Sequence, residues 1–174
     1  MYDHLQKYSE DFILTLSTLY GVESASIDSS HPNSTIYNPL LLRAGEVNKS
    51  TFIKPYYNSY IKFNTKNFKG LTISNGYLSL YCNYFRKPTF HGELIVIEDP
   101  MDFKSITWNT QPISYRKIAD FSIEEEGIIN IPIPPYKIME DILLLGLLSK
   151  EGDSLATFHS SINFKHKPKF VLSF

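Results

Sequence analysis

The chain has 174 residues, 43% hydrophobic and 20% charged, with a formal net charge of −1. That length suits one domain with a substantial core, and no basic block is present to neutralise a run of phosphates, which speaks against nucleic acid as a partner. A single cysteine rules out an internal disulfide, and no segment is long enough to span a bilayer as a helix.

At the N-terminus the first apolar run, Phe12 to Tyr20, follows Asp3, Glu10 and Asp11. A secretory signal would need a positive start there, so none is read, and a chain running from Met1 to a closing strand is expected to be a whole product not exported by the general route. His4, Leu5 and Tyr8 have the spacing of a short helical turn. Residues 1–20 are expected to form an extension or a first strand, and residues 21–174 one domain.

From there alternation with a period of two recurs. Phe12, Leu14 and Leu16 share one face; Leu40, Leu42 and Ala44 repeat the pattern, as do Ile61 with Phe63, and Leu78, Leu80, Cys82 and Tyr84. Cys82 is expected to pack as a small hydrophobe. The run Leu94 to Ile97 reads as a strand buried on both sides or at a crowded edge. A helical turn fits Ile113 to Asp120. Ile129, Ile131 and Ile133 alternate among prolines 132, 134 and 135, which confine that strand to an edge or end it. Ile142 to Leu148 reads as a central strand, and Phe170, Leu172 and Phe174 close the chain. Turn compositions separate these runs, at Ser29 to Asn33, Ile73 to Gly76 and Glu151 to Asp153 among others. Many short strands without intervening helices predict an all-β sandwich of roughly eight to ten strands. The 12 tyrosines and 12 phenylalanines fit such sheets, because an aromatic ring suits a pleated, half-buried surface.

The only tryptophan sits in Ile106-Thr107-Trp108-Asn109-Thr110-Gln111-Pro112. A lone tryptophan is usually largely buried; the functional alternative is a platform on which a sugar ring stacks. Asn109 and Thr110 are suited to bonding backbone groups and closing a turn. In order along the chain, Ala25 to Asn33, Leu40 to Gly45, Asn58 to Phe63, Ile73 to Tyr81, the Trp108 segment, Leu143 to Leu147, and Phe158 to Ser161 with Lys167 to Val171 resemble the DNRLRE family. That family is a jelly-roll β-sandwich module similar to certain carbohydrate-binding modules. Asn58 stands where the family carries arginine, which is a departure. The resemblance implies a jelly roll of two antiparallel sheets, no catalysis, and a place on exported or cell-surface proteins.

Catalytic chemistry finds little support in the residues. Glycoside hydrolysis needs two carboxyl groups across a cleft; Glu124-Glu125-Glu126 reads as a solvated turn, and Asp99 with Asp102 is the other pair. The histidines are scattered, and only His159 and His166 are placed for a loop to bring together. No zinc spacing, nucleophile elbow or phosphate-binding glycine loop is present. No metal or cofactor is expected, apart from calcium as a minor option on the oxygens of Asp28 and Asn33, where one carboxylate compensates charge poorly. Between Phe52 and Tyr60, Tyr56 and Tyr57 point to opposite sides of an extended chain, so one of them should face outward.

The leading expectation is a non-enzymatic structural or adhesive subunit of a phage or phage-tail-like particle, such as a fibre, collar or decoration protein. Lysis would release it without a secretion signal. Its partners would be other proteins of the particle or copies of itself, docked through Tyr2, Leu5, Tyr8 and Phe12. The alternatives are a spore-surface protein and a carbohydrate-binding module using Trp108, Tyr56 and Tyr57.

Overall fold

A computed structural model describes residues 13–16, 21–47, 54–86 and 88–173. Numbered in chain order, the strands are β1 (Ile13–Leu16), β2 (Val22–Asp28), β3 (Ile36–Tyr37), β4 (Leu41–Glu46), β5 (Tyr56–Asn64), β6 (Thr72–Ile73) and β7 (Asn75–Phe85). They continue with β8 (Phe90–Ile97), β9 (Tyr115–Ile123), β10 (Gly127–Ile133), β11 (Tyr136–Lys137), β12 (Ile142–Ser149), β13 (Leu155–His159) and β14 (Lys169–Ser173). Among the described residues the only helical turn is a 3₁₀ turn at Lys66–Phe68.

The fold is an all-β jelly-roll sandwich in which the chain passes back and forth between two antiparallel layers. The front layer runs β3-β2-β5-β12-β8-β9. In the back layer β7 carries β10 along one edge and β14 and β13 end to end along the other, with β1 beyond β14 and β4 beyond β13. The two layers are not separate sheets: the last residues of β4, Gly45 and Glu46, pair with Tyr57 and Tyr56 of β5 and join the layers along one side. The ribbon of β6 and β11 lies apart from this network.

The core between the layers follows the alternation. Leu42, Ala44, Ile61, Phe63, Leu78, Leu80, Cys82, Leu145, Phe158, Phe170 and Leu172 are all buried in it. At Cys82, burial pushes the thiol up to about 11, as suits an inert packing residue. Ile142 to Ser149 is central, between β5 and β8, and β10 with its Pro132 pairs with β7 alone, where a missing N–H costs no ladder bond.

Three local expectations are corrected. Leu40 precedes β4 and is 78% exposed, so it is not a core position. Tyr84 is exposed while Phe85 is buried, because the pairing of β13 with β7 slips by one residue between Thr157 and Phe158; that bulge reverses the faces beyond Asn83. Residues 115–120 belong to β9 and not to a helical turn, since pairing with β8 overrides a local period of 3.6. Tyr2, Leu5, Tyr8 and Phe12, together with the N-terminal helical turn, lie outside the described residues. Residues 13–16 add a strand to β14.

Gly45 sits where β4 crosses between layers. Its φ is +101°, and a Cβ there would lie 1.9 Å from the Ser154 carbonyl oxygen, a backbone atom that cannot swing aside. Gly45→Ala should therefore destabilise the fold by roughly 3 kcal/mol or more, read as a lower urea midpoint. Gly152→Ala, with open space at its Cβ position, should change the midpoint little.

Candidate functional site: a groove on the outer front face

The front layer is apolar on both sides. Leu94 and Val96 of β8 face the inter-layer core. Ile95 and Ile97, with Leu144 of β12, Tyr60 of β5, and Ala25 and Ile27 of β2, form a second buried cluster on the outer face. The segment of residues 98–114, between β8 and β9, covers that cluster by burying Phe103 and Ile106 on it, with Met101 and Trp108 at the margins. Full burial of such a side chain contributes about 1.5–3 kcal/mol, enough to hold a segment without regular structure. Gly146 permits the tight packing beneath, because a Cβ there would lie 2.7 Å from Ile95 Cγ1.

Polar side chains shape the covering segment. Asp99 Oδ2 accepts hydrogen bonds from the Ile113 and Ser114 amides at 3.3 and 2.9 Å. Asp102 accepts from the Lys104 amide and the Ser105 hydroxyl. Thr107 and Thr110 bond each other's amides and close the turn at Trp108. Asn109 fastens that turn to the β2–β3 loop: its amide donates to the Pro32 carbonyl at 3.1 Å, and its Nδ2 donates to Asn33 Oδ1 at 2.8 Å.

Beside this turn lies an open groove of about 390 Å³. Asn58, Tyr60, Ile95 and Leu148 form part of its lining, and Gln111, Pro112, Ile113 and Tyr115 supply the rest. Gln111 is held from both sides, since its Nε2 donates to the Trp108 carbonyl at 3.1 Å and its Oε1 accepts from Asn58 Nδ2 at 2.9 Å. Asn58 is 8% exposed, yet its Oδ1 has no hydrogen-bond partner within the protein. A buried carbonyl oxygen left unpaired costs about 1–3 kcal/mol. Tyr115 is 50% exposed and Ile113 92% exposed, which leaves apolar surface at the rim.

The sequence-derived residues separate here. Trp108 and Tyr56 come together edge to face, with ring centroids 6.0 Å apart. Both are half-buried, and the Tyr56 hydroxyl donates to the Ser149 carbonyl. Tyr57 points the other way: it is 3% exposed, with the Arg43 guanidinium 5.2 Å from its ring centroid. It offers no ring face to a ligand. Asn58, Gln111 and Tyr115 were not singled out as site residues. The one sequence signal was Asn58 itself, a carboxamide among tyrosines where the resembled family has arginine.

The other candidates for chemistry are occupied. Glu124, Glu125 and Glu126 are exposed in the turn between β9 and β10. Asp28 Oδ1 accepts from the Ser30 amide and hydroxyl, and its Oδ2 lies 3.0 Å from His31 Nδ1. With Asn33 bonded to Asn109, both side chains that were candidates for calcium already serve the β2–β3 loop. Among the described residues no group of three or more His, Cys, Asp or Glu side chains is placed to hold a metal ion. His159 and His166 do meet, 5.5 Å apart, and both stack on Tyr81.

No family model and no curated protein matches the chain. Among solved structures, it is similar to Clostridium thermocellum endo-1,4-β-D-xylanase 10B, a chain comprising CBM22-1 and GH10 modules complexed with xylohexaose. The likeness covers 76% of this chain and 24% of that one, at 10% identity and a TM-score of 0.37. A likeness at that level assigns no ligand to this chain.

Two groups outside the groove give the fold a pH signature. Burial raises the Asp28 carboxyl, but the bonds from Ser30 and His31 outweigh it and hold the group below its ordinary 3.8. Its stabilisation is present above 3.8 and is lost as pH falls through the lower folded value. Burial, with His166 nearby, holds the His159 imidazole below its ordinary 6.5. The unfolded chain then takes up that proton first, and stability declines as pH falls below 6.5. Stability measured against pH should show both declines. Asp28→Ala should cost about 1–3 kcal/mol at neutral pH, with the gap to wild type narrowing below 3.8, and His159→Phe should flatten the upper decline.

Proposed function

We propose that this chain is a non-catalytic carbohydrate-binding module and that the outer-face groove takes part of a neutral glycan chain. The observation that carries this reading is the open groove itself, in which the oriented carboxamide of Gln111 lies beside the half-exposed Tyr115. Sugar hydroxyls both donate and accept, as the carboxamide and tyrosine hydroxyl groups lining the groove do. Tyr115 and Ile113 at the rim offer apolar surface to the C–H faces of a pyranose ring. An open groove suits an extended polar chain better than a compact apolar ligand, which would call for a pocket enclosing most of its surface. No carboxylate lines the groove, so the paired acids of a glycosidase are not at this site. The resemblance to DNRLRE modules supports the same reading. It implies work at an exported or cell-surface location.

Calorimetry with neutral oligosaccharides, chosen from a glycan array, tests the proposal. Tyr115→Ala should weaken binding about tenfold, the loss of about 1.4 kcal/mol of contact, with little change in melting temperature; Gln111→Ala should weaken it as much and also lower the melting temperature, because it unpairs Asn58 Nδ2. Tyr57→Phe should bind as wild type does. Failure of every glycan to bind, or binding indifferent to Tyr115 and Gln111, would overturn it.

One observation favours a second reading, that of a particle subunit. β1 ends the order of the back layer, and its outer edge is unpaired among the described residues. Such an edge is a template for a strand from a neighbouring copy. Under this reading the chain sits on a virion or spore surface and Tyr2, Leu5, Tyr8 and Phe12 make the contact. Light scattering of the full chain should then give a closed oligomer, converted to a folded monomer by removal of residues 1–12. A concentration-independent monomer would end this reading.

A further inference from the structure

The back layer carries a cluster that the groove does not use. After β13 the chain makes a tight loop and enters β14 through Lys165-His166-Lys167-Pro168-Lys169. In a chain of net charge −1, three lysines and a histidine fall within five residues. Lys165, His166, Lys167 and Lys169 together line a hollow of about 30 Å³, with Ser79 and Tyr81 of β7 among its other walls. No carboxylate lines it.

The loop is built to hold these cations in place. Asn163 Oδ1 accepts from the amides of Lys165 and His166 at 3.0 and 2.8 Å, which fixes the turn. The His166 ring stacks on Tyr81 with centroids 4.2 Å apart, and His159 stacks on the same tyrosine at 4.7 Å. Lys167 Nζ rests 5.6 Å from the centroid of the exposed Phe164 ring. Pro168 is buried and leads into β14.

The charges are also uncompensated. Lys54, Lys62, Lys69, Lys117 and Lys150 each have a carboxylate within 4 Å. Lys165, Lys167 and Lys169 have no such partner among the described residues. Ammonium groups held around one hollow repel one another, and an anion seated between them relieves that repulsion. The hollow has room for one small polar group and not for a sugar ring.

From this arrangement we infer a second ligand site, for a single oxyanion substituent, a sulfate or carboxylate, carried on an acidic polysaccharide. The lysine ammonium groups donate to the oxyanion, and the exposed Ile128 and Tyr77 on the same face of the layer accept the flanking apolar surface of the sugar. Three lysines around one hollow meet one acidic substituent; they do not form the long track that a nucleic-acid backbone needs. The site lies on the opposite layer from the outer-face groove and does not depend on it, so failure of one leaves the other standing.

The test is titration of the full chain with a sulfated oligosaccharide, a polyuronate oligosaccharide, a neutral oligosaccharide and inorganic sulfate, followed by calorimetry and by amide shifts of residues 163–169. At least one acidic oligosaccharide should bind more tightly than inorganic sulfate and shift those amides. Lys167→Gln should weaken it about tenfold, as expected for one charge-assisted hydrogen bond, and binding should weaken with added salt. The triple variant Lys165→Gln, Lys167→Gln, Lys169→Gln should abolish it. The control triple Lys66→Gln, Lys104→Gln, Lys137→Gln, with the same change in net charge, should not. Equal loss in both triples would reduce the effect to general electrostatics and overturn the site. Absence of binding by any acidic oligosaccharide, or inorganic sulfate binding as tightly as the oligosaccharides, would overturn it as well.

Discussion

A front sheet that is apolar on both faces imposes the main constraint on this molecule. Its inner face meets the back layer in the ordinary way of a sandwich. Its outer face presents Ile95, Ile97, Leu144 and Tyr60, and leaving these in water would forgo several kcal/mol of burial. Residues 98–114 resolve this by folding back over the sheet, with Phe103 and Ile106 as anchors. The position of Trp108, the orientation of Gln111 and the groove beside them all follow from that fold-back.

The covering segment also accounts for the polar residues that resembled chemistry. Asp99 and Asp102 cap backbone amides inside it, while Asp28 and Asn33 shape the loop to which Asn109 ties it. A backbone without strand pairing needs such partners for its amides. Carboxylates placed in this way accept structural hydrogen bonds. The groove itself is left with amides, tyrosines and aliphatic surface, a composition that fits recognition.

The two layers differ in surface chemistry. The front face carries neutral hydrogen-bonding groups, whereas the loop leading into β14 concentrates positive charge over the back sheet. On the front face Asn58 Nδ2 is committed to Gln111, and on the back the turn holding Lys165 and His166 is fixed through backbone amides, not through the lysine ammonium groups.

Alternation with a period of two determined the strands and the inward rows Leu78-Leu80-Cys82 and Phe170-Leu172, because burying one face of a strand imposes that period on the sequence itself, while the nearly continuous apolar run Ile142 to Leu148 marked a central strand. The continuous run Leu94 to Ile97 announced burial on both faces or a place at a crowded edge, and the structure shows the former. What it could not announce was the cover, because the contacts of Phe103 and Ile106 are with residues distant in the chain and leave no local period. For the same reason only tertiary structure decided that Tyr57 turns inward while Asn58 reaches Gln111, that a bulge exchanges Tyr84 for Phe85, and that residues 115–120 pair with β8. Each depends on a partner dozens of residues away, and the short-range pattern of the chain carries no record of that partner.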